Sequence, residues 1–374
     1  MGALQVLIPP SSRIVAGLPP AVRSAHAAAA LPDARVVLCG QDEAFERRYR
    51  RQLAALPAAR CVNGDAPQAV LEGSAPLLVL SGEGYPSAAA LSAFVEKARA
   101  AGAPALWTSG GRPVARYYPA AAALPAAAAA YEAAREALDS PAPAHGLAGG
   151  ADAGWVVAGD AAEVRAAEDA LYASLAKDTD GYLAMLDRRL SIAISAFLLR
   201  YPVTPNDITT ASLVLGLLGA WWLASGSYGI TVAGAGLLWF CCLLDGCDGE
   251  VARLKLLCSP SGAAYDLWAD HLAHLATFVA LPIGVHRAYP QADFRLPGVL
   301  LVAGFLMCGF SVWYLVLRKP ESERGPHGLL VERVASRDYV YLILALALVG
   351  RLDWFVYAAA VGSHAFWAAL WLLG

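Results

Sequence analysis

DGCDGEVARLKLLCSPSGAAYDLWAD, residues 245–270, lies among long apolar runs yet carries aspartates at 245, 248, 266 and 270. Asp245 and Asp248 are three apart, and Asp266 and Asp270 four apart, so each pair shares a face if its segment is helical. Between the pairs stands Ser259-Pro260-Ser261-Gly262, a helix-breaking run placed to turn the chain and bring the two faces together. The result would be a ring of hard oxygen ligands. Carboxylates among membrane-length apolar runs are costly and mark function, and two divalent cations would relieve the repulsion among four of them. Mg²⁺ or Mn²⁺ suits all-oxygen ligation, with substrate phosphates completing the shell. The small residues Gly249, Ala252 and Gly262 leave room for a ligand against the backbone. The plainer alternative is a set of interfacial aspartates that only solvate helix ends.

The surrounding chain supports a membrane setting. Of 374 residues, 58% are hydrophobic and only 16% charged, against about 25% charged in an ordinary soluble domain. A net charge of -3 speaks against a nucleic-acid partner, which calls for a basic surface. The seven cysteines form no CxxC pair, and four lie in or beside apolar runs, so neither a disulfide framework nor a zinc site is expected. At the N-terminus, MGALQVLIPPSSRIVAGLPP has only a short apolar stretch and no basic region before it. It therefore does not read as a secretory signal, and the front of the chain is expected in the cytoplasm.

Composition changes near residue 200. Before it, LQVLI (4–8), RVVLC (35–39), PLLVL (76–80) and WVVAG (155–159) alternate with Ala-rich, helix-compatible stretches. That alternation predicts an α/β domain with a largely parallel sheet over residues 1–160, with 140–154 as a loop. Residues 161–203 read as a linker ending in an amphipathic helix along the membrane surface, with basic residues at 188, 189 and 200. A soluble linker helix is the alternative there.

From 204 to 374 a polytopic all-α domain is expected. Apolar runs cover 208–225, 229–244, 264–285, 297–317, 338–350 and 354–373. A spanning helix needs about 20 residues, and two of these runs are short, so the reading is six spans, with five as the alternative. Arg253, Lys255, Arg318, Lys319, Arg324, Arg333 and Arg337 fall in the loops on one side, against Arg287, Arg295 and Arg351 on the other. The positive-inside rule then places both termini and the aspartates at the cytoplasmic face of the cell membrane.

The stretch Asp245-x-x-Asp248-Gly249-x-x-Ala252-Arg253, followed after eight residues by Gly262-x-x-x-Asp266-x-x-x-Asp270, matches every position of the CDP-alcohol phosphotransferase signature. The membrane half resembles that family throughout, and TPNDITT at 204–210 looks like its TPNxxT lead-in. The resemblance implies transfer of the phosphoryl-alcohol moiety of a CDP-linked donor, foremost CDP-diacylglycerol, to a polar alcohol or alcohol phosphate, with release of CMP. It further implies that Asp245, Asp248 and Asp266 ligate two metal ions with Asp270 close by. Asp270 would also be the general base for the acceptor hydroxyl, and the protein a homodimer. Asp248, Gly249, Ala252, Arg253 and Gly262 would bind the CDP. Arg253 reads either as a diphosphate contact or as a plain inside anchor.

Arg333 and Arg337, four apart on the same side, are candidates for an acceptor phosphate such as that of inositol phosphate. The positive-inside rule alone would also account for them. His271, His274, His286 and His364 read as interface or packing residues.

Residues 161–200 also resemble the segment that joins a fused cytidylyltransferase-like domain to the membrane domain in the inositol-lipid and di-myo-inositol-phosphate branch of the family. GLPPAVRSAHAAAALPDARVVLCG (17–40) resembles the first helix and second strand of a nucleotidyltransferase. Where such an enzyme has a Gly-rich LAAGxGxR loop, this chain has LIPPSSRIVAG, and PLLVLSGEGYP offers only Glu83 as an acidic metal ligand. The two prolines remove backbone N–H groups that would cradle phosphate. The front domain is therefore expected to be degenerate, with CTP-dependent activity through Glu83 as the alternative. A divalent-cation transporter would spread acidic residues over several spans rather than gather them at one face. A dead scaffold would not keep the motif intact.

Overall fold

The computed structural model describes residues 3–11, 13–56, 59–62, 71, 75–119, 138, 145–146, 154–175, 182–318 and 339–372. Its contacts divide the chain into two compact units, Met1–Leu175 with Leu254–Leu257, and Ala176–Arg253 with Cys258–Gly374.

The first unit is built on a seven-stranded sheet. Strand β1 (Leu4–Ile8) pairs in parallel with β2 (Ala34–Cys39) and β4 (Leu77–Leu80), with Val6 opposite Val36 and Leu78, and β2 pairs in parallel with β3 (Ala59–Val62). All five residues of β1 are buried, Gln5 included. A strand covered on both faces reads as a continuous rather than an alternating apolar run. One face packs Leu4, Val6 and Ile8 with Ala21, Ala25 and Ala28 of helix α1 (Pro20–Ala29), and the other packs Leu7 with Val37, Cys39, Leu77 and Val79.

The sheet is largely parallel, as expected, with β7 its one antiparallel strand among the described residues. Strands β6 (Ala105–Ser109) and β7 (Arg112–Tyr118) form an antiparallel hairpin whose β7 pairs antiparallel with β4, and the short β8 (His145–Gly146) joins β6 in parallel within the stretch expected to be loop. The turn Ser109-Gly110-Gly111-Arg112 supplies the positive φ values, 56° and 77°, that let the chain reverse so tightly. WVVAG also departs from expectation. Its strand β9 (Trp155–Val157) pairs with β5 (Gly84–Pro86) in a separate two-stranded ribbon.

Helices α2 (Glu43–Arg48), α3 (Arg50–Ala54) and α4 (Ala88–Ala101) complete the layers, and α5 (Ala161–Ala173) lays Ala167, Val164 and Leu171 against Val15 and Tyr85 of this same unit. An Asp160/Glu163 capping box starts α5. All seven cysteines are free, and burial pushes the Cys39 thiol up to about 12, leaving it an inert core residue.

The second unit is helical: α6 (Tyr182–Leu198), α7 (Pro205–Leu223), α8 (Tyr228–Leu254), α9 (Pro260–Ala288), α10 (Arg295–Val312, continuing as a π-helical turn Trp313–Leu317), α11 (Tyr339–Val349) and α12 (Leu352–Leu372). Leu223, Leu238, Leu281, Val285, Ile343, Phe355 and Val356 form its core. Large apolar side chains point outward instead of being hidden, Trp221 at 76% exposed and Val361 at 72% among them. In water such a surface would aggregate, whereas lipid would cover it. By length and apolar composition three described helices can cross a membrane, Tyr228–Leu254, Arg295–Leu315 and Leu352–Leu372, and Tyr339–Val349 is a shorter apolar helix.

Two sequence signals have local explanations. In TPND, Thr204 is the N-cap of α7: its hydroxyl accepts from Asp207 N while Asp207 accepts from Thr204 N, with Pro205 preset as the first helical residue. In SPSG, Ser259 Oγ accepts from Gly262 N at 3.0 Å and Pro260 opens α9. Ser-Pro-Ser-Gly is thus the start of the second helix, and the reversal itself falls at residues 255–258, with Leu256 at φ 54°.

Candidate metal centre

Helices α7, α8 and α9 meet at Gly216, where an added Cβ would lie 3.0 Å from both Ala273 Cβ and Cys241 Sγ. That close approach sets the spacing of the helices that carry the aspartates. Asp245 and Asp248 stand on one face of α8, both buried, and Asp266 comes from α9, half buried. Carboxylate oxygens from these three residues lie within 4.8 Å of one another. At that range like charges repel by on the order of 3 kcal/mol per pair even at an effective dielectric near 20. Removing a carboxylate from water without a partner is costly as well, and Asp266 Oδ1 is buried with no hydrogen-bond partner among the described residues. An all-oxygen cluster with an unsatisfied oxygen aimed into it fits a hard divalent cation.

Asp270 lies one turn further along α9, outside the group of three. Its Oδ1 sits 3.4 Å from His274 Nε2, and the side chains are 26% and 16% exposed. His274 had read as a packing residue, and its ring does stack edge-on against Tyr339. The other three histidines meet backbone carbonyls: His271 that of Leu267, His286 that of Ala292 and His364 that of Leu300.

Two further residues bear on the centre. Thr209, one turn into α7 and 2% exposed, donates its hydroxyl to Asp248 Oδ2. It belongs to the TPNDITT lead-in, so motif membership flagged the segment without revealing the role. Glu250, two residues beyond Asp248, is completely buried yet turned away from the cluster.

Around the centre, Gly249 and Ala252 are partly exposed and Arg253 exposed. A Cβ on Gly249 would meet only Arg253 Nη1, at 3.7 Å, and one on Gly262 would meet Ser259 Oγ at 3.0 Å and Asn206 Oδ1 at 3.5 Å. Arg333 and Arg337 lie outside the described residues.

These helices define a class before any relative is consulted: a bundle of apolar helices carrying an all-carboxylate centre. Residues 202–372 match the family model described as CDP-alcohol phosphatidyltransferase. The chain is 34% identical over 158 residues to the bifunctional IPC transferase and DIPP synthase of Rubrobacter xylanophilus, covering 41% of this chain and 35% of that one. With the protein of the same description from Archaeoglobus fulgidus it shares 31% identity over 216 residues, covering 55% and 42% respectively. It therefore spans well under half the length of these relatives. Among solved structures, a Mycobacterium tuberculosis phosphatidylinositol phosphate synthase with CDP-DAG bound covers 48% of this chain and 91% of its own at 21% identity, with a TM-score of 0.35.

Proposed function

We propose that the protein is an integral-membrane transferase that uses Mg²⁺ or Mn²⁺ to move the phosphatidyl group of CDP-diacylglycerol to a polar alcohol or alcohol phosphate, releasing CMP. The observation that carries this reading is the meeting of Asp245, Asp248 and Asp266 oxygens within 4.8 Å, with one buried oxygen unsatisfied, inside a domain matched to the family. Asp245, Asp248 and Asp266 would hold the ions, two of them by the family pattern, with Asp270 at the edge of the site. Bound cations would neutralise the diphosphate and stabilise the departing CMP.

The remaining chemistry belongs to the chain. Asp270 takes the proton of the acceptor hydroxyl as its oxygen attacks the phosphorus on the lipid side of the diphosphate. The bond from that phosphorus to the bridging oxygen breaks, and CMP leaves with that oxygen. His274 holds the Asp270 carboxylate in place from one turn below. Gly249, Ala252 and Gly262 provide the bare backbone against which the cytidine nucleotide lies, Asp248 borders it, and Arg253 reaches its diphosphate. Arg333 and Arg337 are the candidates for an acceptor phosphate. Inositol phosphate is the acceptor we favour, in keeping with relatives named for IPC transfer and DIPP synthesis.

In this reading residues 204–374 form a six-span membrane domain, and the linker with an interfacial helix expected over 161–203 starts only after α5, which packs in the first unit. Both termini and the aspartates face the cytoplasm across the cell membrane, and the protein works as a homodimer. Residues 1–160 form a degenerate cytidylyltransferase-like domain. The loop after β1 supports that degeneracy: Pro10 fills the space at the ends of β1, β2 and β4, where an α/β sheet binds its ligand. A Cβ on Gly82 would fall 2.5 Å from the Pro10 carbonyl, and one on Gly40 3.3 Å from its ring.

The test is CMP release by purified full-length protein in detergent, with Mg²⁺ and CDP-diacylglycerol, across polar alcohols and their phosphates. One acceptor should support release, and Asp270→Asn should lower it by about 10²–10⁴-fold. Failure of every acceptor, together with no CDP binding, overturns the proposal.

A further inference from the structure

Glu250 is a buried carboxylate that the proposed chemistry does not use. It is 0% exposed, and three groups on α6 reach it. Ser191 Oγ donates to its Oε1 at 2.6 Å, Ser195 Oγ to its Oε2 at 2.7 Å, and Arg188 Nη1 lies 3.4 Å from Oε1. The serines are as buried as the carboxylate, at 5% and 0% exposed. Around this pair of hydrogen bonds the helices are close: Cys247 Sγ lies 3.5 Å from the Ser191 carbonyl, and a Cβ on Gly246 would be 3.8 Å from Ser191 Cβ.

The azimuth of these residues on α8 matters. At roughly 100° per residue, Glu250 points about 200° away from Asp248 and about 140° from Asp245. One side of α8 thus faces the metal centre, and the opposite side, Leu243, Gly246, Cys247 and Glu250, faces α6. With both oxygens engaged and the wrong azimuth, Glu250 is no metal ligand. What it does is fix rotation. An apolar seam between two helices lets one roll or slide on the other, whereas two hydroxyls one turn apart gripping the two oxygens of one carboxylate allow a single register. One turn before Ser191, Asp187 of the same helix accepts from the Tyr341 hydroxyl of α11, a second polar tie on α6. Phe197 and Tyr201, at 54% and 49% exposed, give its surroundings an apolar outer face.

We infer that Glu250 is a positioning residue, the latch by which helix α6 sets the rotation of α8 and so presents Asp245 and Asp248 to the metal centre. This rests on the metal-dependent reading above. Seating α6 against a bilayer then becomes a condition for a well-formed site, because the latch transmits any roll of α6 to the aspartates.

The experiment is a Mn²⁺ titration followed by electron paramagnetic resonance on full-length protein in detergent, with thermal melting alongside. The variants are Ser191→Ala/Ser195→Ala, Glu250→Leu and Glu250→Gln. The serine double variant and Glu250→Leu should weaken Mn²⁺ binding by about 10-fold or more, the range seen when groups behind metal ligands are removed. CMP release should lose kcat while donor KM stays nearly constant. Glu250→Gln keeps the shape and can still pair with both hydroxyls, so it should recover most of the loss. Should Glu250→Leu not fold, the serine variant, which removes only two hydroxyl oxygens, decides. Unchanged Mn²⁺ affinity in the folded serine variant overturns the latch while leaving the transferase reading intact. A wild-type protein that binds no Mn²⁺ overturns the metal reading itself, and the latch with it.

Discussion

Two buried charged side chains, one in each unit, are treated in opposite ways. In the sheet unit the Arg23 guanidinium, 6% exposed, is satisfied by donation to the Val15 and Ala16 carbonyls at 2.9 and 3.2 Å. In the helical unit Asp266 keeps a buried oxygen that no described residue satisfies, beside two more carboxylates. A buried charge with its partners built in belongs to the scaffold, whereas an unsatisfied carboxylate oxygen gathered with two more carboxylates fits a bound cation. The same contrast appears in the loops. The turn after β1 is closed by two prolines packed on Gly82, whereas at Gly249 a side chain would meet almost nothing. One region is closed by its own backbone, and the other is open.

Several measurements can break that comparison. The largest effect is expected at Asp266. Asp266→Asn should abolish CMP release and Mn²⁺ binding, yet raise the melting temperature of metal-free protein, because it removes one of three mutually repelling charges. A lower melting temperature would show that the cluster is satisfied internally and is scaffold after all.

Next comes Thr209→Val, which keeps shape and removes the donor to Asp248. Mn²⁺ affinity should fall by about 10-fold, read by the same titration, and no change would remove Thr209 from the site.

Gly249→Ala sharpens the contrast further. Alanine favours helix over glycine by about 1 kcal/mol, and the new Cβ meets only Arg253 Nη1. Stability should hold or rise while CDP affinity, measured calorimetrically, drops severalfold. Unchanged CDP binding would mean the open space serves no ligand.

The smallest effect is expected in the sheet unit. Glu83→Gln, at an exposed position, should leave CMP release unchanged, with no CTP turnover in mutant or wild type. Measurable CTP consumption by wild type that is lost in Glu83→Gln would show that the front unit is active.

Much of this was legible before any coordinates. The i, i+3 and i, i+4 spacing of the aspartates is a statement about helix faces, and it holds on any helix. β1, β2 and β4 announced themselves as short β-branched and leucine runs because a strand covered on both faces must be apolar throughout. The cap at Ser259 is local too, yet its run read as the chain turn, and only the structure made it the start of α9. By contrast, WVVAG has the same signature as a core strand, and nothing within five residues says which partner it will pair with. The one antiparallel strand, β7, was not foreseen within the largely parallel sheet for the same reason: pairing direction depends on residues far away in the chain.

By itself, then, the sequence carried the family resemblance, the change of character near residue 200 and the aspartate motif, since composition, periodicity and motif spacing are local properties of the chain. Only the tertiary structure separated roles among chemically identical groups. Asp266 converges with Asp245 and Asp248 while Asp270 pairs with His274, and Glu250, two residues from a member of the cluster, faces the other way into two serines. A carboxylate's function follows from what lies opposite it. What lies opposite is set by helix azimuth and by packing between segments dozens of residues apart, as Thr209 on Asp248 and Ser195 on Glu250 illustrate.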